Sequence, residues 1–232
     1  MASLGYAGLD AAIGGGLARG RLHELFAKEP ADNGSASGFA MMLACLASQA
    51  GAPLFWLREE SVERTGCLYG PGLAEIGVDL RRIVLVVLPD PVTLLRAAVD
   101  VVRCASVGAA VIELWRSPRA LDLTATRRLT LAAETSGVTP LLLRIDAQPG
   151  PSAAQTRWSI RAAPSVALEA EAPGRPSFLV ELLRQRGGPH GGYWHLEWDR
   201  DRARFDEATL SGAMVPPASG RSLAQDAWQQ AS

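Results

Sequence analysis

Lysine is almost missing from this 232-residue chain: of its 23 basic residues, only Lys28 is not arginine. Charge of one sign is missing too. The net charge of −1 leaves no global field to hold nucleic acid or an anionic membrane. Cysteine is scarce, and Cys45, Cys67 and Cys104 lie far apart, which excludes a disulfide framework and the spacing of a metal site. No charged leader precedes an apolar run at the start, and stretches such as 83–88 are too short to span a bilayer. These absences predict a soluble cytoplasmic protein with no membrane contact. The 48% hydrophobic content is enough for a sizeable core.

What is present alternates between two periods. Residues 9–17 read as a short amphipathic helix stopped by glycines, and 21–27 as a short strand. A polar loop over 28–38 leads to a buried helix over 39–50. Strands follow at 53–57, 83–88, 109–115 and 140–145; the run IVLVVL at 83–88 has the composition of a strand covered on both faces. Helices at 91–105 and 121–136 separate them, with Gly137 placed as a left-handed cap. Strands alternating with helices predict an α/β fold, a mainly parallel sheet flanked by helices. After Pro149 the pattern changes to antiparallel strands at 159–171, 177–184 and 193–198. The expected organisation is a core over 1–150, an antiparallel continuation of its sheet over 151–205 and a flexible tail over 206–232.

A strand, a polar glycine-containing loop and a helix is the layout of a phosphate-binding loop. That chemistry needs backbone N–H groups around the phosphates, a lysine to neutralise them and a hydroxyl for magnesium. Here Gly38 is followed by Phe39 and Ala40 in place of lysine and hydroxyl, and Glu29 and Asp32 add negative charge. The residues argue against ATP hydrolysis and imply no cofactor.

The runs Leu9-Asp10 to Leu17 and Arg19-Gly20-Arg21-Leu22-His23-Glu24-Leu25 resemble the opening of RecA recombinase cores. So do Ile76 to Ile83, Ala109 to Trp115 and Arg127 to Val138. Against that pattern the loop is about six residues longer and its lysine is lost. With Arg184-Gln185-Arg186-Gly187-Gly188, Trp194 to Trp198 and Arg204-Phe205, the combination is similar to the ImuA family, over about Leu9 to Phe205. The resemblance implies a RecA-like pseudo-ATPase in SOS-induced translesion synthesis. It also implies contact with an ImuB-like polymerase homologue, and beyond it with RecA and a DnaE-type error-prone polymerase. Alternatives are a SulA-like division inhibitor that binds FtsZ and an active RecA-type ATPase. With only about eight residues before Leu9, no long filaments of the chain alone are expected.

Single residues are weighed against plainer readings. Glu59 falls at the position of the RecA water-activating glutamate but reads as solvated or ion-paired. Glu113 is Walker B-like; inside an apolar strand it needs a partner, and Arg144 on the next strand is the expected one. Residues 146–158 match a DNA-binding loop of RecA in position, where Arg157 and Trp158 are candidates to stack on an unpaired base, although a connecting loop with weak or indirect DNA contact is the simpler reading. His190, His195, Glu197 and Asp199 read as hairpin residues rather than metal ligands, with Trp194 and Trp198 packed on the core. Leu223 and Trp228 in the tail are candidate partner anchors.

Overall fold

Nine strands form one sheet among the described residues: β1 (His23–Ala27), β2 (Leu54–Glu59), β3 (Ile83–Leu88), β4 (Ala109–Trp115), β5 (Thr139–Ile145), β6 (Thr156–Ala162), β7 (Ser177–Gln185), β8 (Tyr193–Asp199) and β9 (Arg204–Glu207). The computed structural model describes residues 1–61, 66, 68–165, 174–188 and 191–208. Strand order is β3-β2-β4-β5-β1-β6-β7-β8-β9. The first six run parallel, and β6 to β9 pair antiparallel. The helices are α1 (Ala7–Ala12), α2 (Asn33–Ala47), α3 (Gly70–Glu75), α4 (Pro91–Arg103) and α5 (Leu123–Ser136).

Alternation along the strands makes two cores. Leu25, Val111, Leu141 and Leu143 face α2 and its Phe39, Met42 and Leu43, while Ile112, Leu114 and Leu142 face Leu94, Ala98 and Val102 of α4 and Leu129 of α5. The helix ends follow local chemistry. Asp90 accepts from the N–H groups of Val92 and Thr93, Asp122 accepts from that of Ala125, and Gly137 takes the left-handed φ of 81° that closes α5.

Several expectations need correction. The run at 83–88 is a strand but not a covered one: β3 lies at the sheet's edge, and Val84, Leu85 and Val87 are 38%, 45% and 37% exposed. A continuous apolar run measures hydrophobicity; it does not say how many neighbours the topology supplies. The polar loop at 28–38 is mostly helix, since α2 starts at Asn33 and takes in both Gly34 and Gly38. The strand expected at 159–171 starts earlier, at Thr156, and is parallel to β1 on one side and antiparallel to β7 on the other; most of its expected second half lies outside the described residues. The first helix ends at Ala12, ahead of Gly14 and Gly15 with φ of 80° and 100°. The short α3 and β9 were not foreseen. Leu223 and Trp228 lie outside the described residues, as do Cys67 and His190.

Candidate functional site

A cleft of about 630 Å³ opens where the carboxyl ends of β2 and β4 meet the start of α2. This is the place where parallel α/β sheets usually bind ligands. Asn33, Ser37 and Gly38 of α2, Arg58 of β2, Glu113 of β4 and Leu73 of α3 are among its lining residues.

The side of the cleft against α2 is not built as a phosphate-binding loop. Only Lys28–Asp32 separate β1 from α2, and three of these five residues form a single 3-10 turn. Neither Gly34 nor Gly38 has a positive φ, so no left-handed turn gathers backbone N–H groups into an anion nest. Asp32, at the helix N-terminus, is buried and accepts from the N–H of Ala162 at 3.0 Å. Its carboxylate holds negative charge where a phosphate would need the helix dipole. Lys28 ion-pairs with Glu181 at 3.5 Å, away from that position.

Phe39, at the position of the missing lysine, points into the core and is 1% exposed. Its ring lies 5.4 Å from Phe178 of β7 and 4.9 Å from Phe205 of β9, which in turn stacks edge-on against Trp198 of β8 at 4.9 Å. Ala40 beside it is fully buried. Phe39 therefore joins α2 to the antiparallel strands.

Glu113 is also committed. Its Oε2 accepts from Trp56 Nε1 at 2.8 Å, its Oε1 accepts from Trp115 Nε1 at 2.9 Å, and Arg58 Nη2 lies 3.4 Å from Oε1. Indole N–H groups only donate, so both oxygens are occupied by donors a metal would have to displace. The expected partner Arg144 is on the other face of the sheet. It stands in register with Leu114, one residue along from Glu113, and successive strand residues point to opposite sides. Glu59 is half-buried and makes no ion pair among the described residues, which leaves the partly solvated one of its two expected states. Burial chiefly raises its pKa; a hydrogen bond to Ser61 opposes this, and the acidic Asp90 and Glu113 add to it.

Arg144 belongs to a second buried cluster that sequence reasoning missed. Glu24 of β1 lies 2.9 Å from Arg157 Nε and 3.9 Å from Arg144 Nη1, with all three side chains nearly inaccessible. Arg157 donates to Gly150 O at 2.6 Å, and Arg144 donates to Arg116 O at 3.0 Å and Ser117 Oγ at 3.2 Å. The cluster ties three strands to the loops after β4 and β5. Burial raises the pKa of Glu24, opposed by the charges of Arg157 and Arg144.

Arg157 and Trp158 are therefore interior strand residues, 7% and 2% exposed, and the reading of them as base-stacking side chains is corrected. Trp158 Nε1 donates to Thr156 Oγ1 at 2.6 Å, and Thr156 Oγ1 lies 2.6 Å from His23 Nδ1. His23 Nε2 must donate to Ala18 O at 2.9 Å because a carbonyl only accepts, and in the neutral ring that burial favours Nδ1 then accepts from the Thr156 hydroxyl. Burial lowers the His23 pKa to about 4. In the C-terminal hairpin, His195 pairs with Ser177 Oγ at 2.7 Å, and Trp194 and Trp198 pack on the first core. No group of three or more metal-ligating side chains occurs among the described residues. Within the same residues no helix is long and apolar enough to cross a membrane.

Sheet order, the antiparallel extension and the flanking helices make this a RecA-like α/β fold. The crystal structure of the RadB recombinase is similar to it, with a TM-score of 0.55 and 16% sequence identity over 90% of this chain and 100% of that one. At that identity the likeness speaks for the fold alone. No family model and no curated protein matches the chain.

Proposed function

We propose that the chain is a non-catalytic, RecA-like accessory protein of SOS-induced error-prone DNA synthesis, acting through protein contacts with an ImuB-like polymerase homologue. RecA and a DnaE-type polymerase are the further partners the ImuA resemblance implies, and any DNA contact is indirect. The observation that carries the reading is Phe39, buried among Phe178 and Phe205 where a nucleotide-hydrolysing relative needs an exposed lysine. Such a protein needs no ATP turnover and no cofactor.

The β3 edge supports a role in binding. Among the described residues its backbone pairs on one side only, and it carries none of the lysine, proline or bulges that usually blunt a free edge. A partner strand could add there through main-chain hydrogen bonds, with Leu85 and Val87 supplying apolar contact. The test is capture of the purified ImuB-like protein by the full chain. We expect retention, weakened at least about tenfold by Val87→Lys, because a charge is placed in a desolvated contact. Retention of FtsZ in its place would move the protein to the SulA-like reading.

A further inference from the structure

On the far side of the sheet from the cleft, α4 and α5 leave a groove of about 510 Å³ between them. Val92, Leu95 and Val99 of α4 form its floor at helical spacing, and Arg96 and Arg103 of α4 and Arg128 of α5 stand along its walls. Val92 is 46% exposed, and Leu131, three residues beyond Arg128 on the same helix face, is 63% exposed. Among the described residues the only carboxylate lining the groove is Asp100, which pairs with Arg103 at 3.8 Å. Arg96 and Arg128 make no ion pair within 4.0 Å among the described residues; Asp90, its pKa lowered first by its hydrogen bonds to Thr93, also feels the charge of Arg96.

We infer that this groove docks an acidic amphipathic helix of a partner protein, with leucine- or phenylalanine-like side chains on the aliphatic floor and carboxylates against Arg96 and Arg128. Arginine forks suit carboxylates in bidentate geometry, and an excess of cations around an apolar strip selects for that combination. The groove lies between helices and offers no free strand edge. An occupant must satisfy its own backbone hydrogen bonds, which favours a helix over an extended segment. Nucleic acid fits less well. Among the described residues no aromatic side chain lines the groove to stack on a base, and an aliphatic floor gains nothing from phosphates. The inference does not depend on the damage-response reading, since it stands on a different surface.

The test is display selection of random dodecapeptides on the full chain, followed by titration of the synthesised winners against wild type and the double variant Arg96→Glu/Arg128→Glu. Both arginines are exposed, so the variant keeps its fold, which circular dichroism checks. Selected peptides should combine two or more Asp or Glu with Leu, Ile or Phe at helical spacing. Their affinity should fall with salt and drop at least about tenfold in the double variant. Loss of selection, selection of neutral or basic peptides, or winners that bind the double variant undiminished would overturn the inference. So would an oligothymidylate strand that binds through the same two arginines while no acidic peptide does.

Discussion

Two glutamates lie buried in the same sheet and are held in different ways. Glu113 of β4 faces α2, where two indoles and Arg58 surround it at the wall of the cleft. Glu24 of β1 faces the opposite side, where Arg157 and Arg144 meet it, all three nearly inaccessible. The first lines the cleft and has the surroundings of a structural carboxylate. The second has no catalytic position, yet it fixes the loops that leave β4 and β5. Location in the fold is thus a poor guide to function here; the partners of each carboxylate are the better one.

The contrast can be broken most sharply at Glu24. Glu24→Ala leaves two arginines buried without an anion, and we expect a loss of about 3–5 kcal/mol in denaturant unfolding at neutral pH. Glu113→Ala should cost less, about 2 kcal/mol, because water entering from the cleft can reach the donors it abandons. A Glu113 loss as large as that at Glu24 would show that the cleft does not hydrate its wall.

Between these two effects in size lies a pH dependence from His23. Its folded pKa of about 4 is below the ordinary 6.5, so the unfolded chain takes up more protons between those values. Stability from this group is therefore complete above pH 6.5 and falls as pH drops towards 4, by about 3 kcal/mol in all. Glu24, with its pKa raised, acts in the opposite sense, so the measurement is the difference in slope between wild type and His23→Gln. Identical slopes would mean that burial does not hold His23 neutral in the folded chain.

The parallel half of the sheet could be read from the chain because its signals are local. The bounds of β3 and β4 match their apolar runs, and Gly137 caps α5 as a glycine at that position should. What could not be read depends on neighbours. Nothing inside IVLVVL says that it lies at the edge, since edge and centre differ by one missing strand. Asn33–Ser37 read as a loop because polar and glycine residues favour turns, yet packing of Ala36, Phe39 and Ala40 carries the helix through them. The Glu113–Arg144 pairing failed on parity. The two side chains sit on adjacent strands but on opposite faces, a matter of register that strand composition does not encode. Arg157 and Trp158 looked like loop residues because the start of β6 carries no turn signal of its own. The loss of the lysine at Phe39 was legible in the chain, but its new work in joining α2 to β7 and β9 was not.

That joint is the centre of the account, and calorimetric titration of the full chain with ATP and magnesium addresses it most directly. With Phe39 filling the core and no anion nest before α2, no saturable heat of binding is expected, either for wild type or for Phe39→Lys, which restores the charge without the loop. Saturable binding by the wild-type chain near micromolar affinity would contradict it.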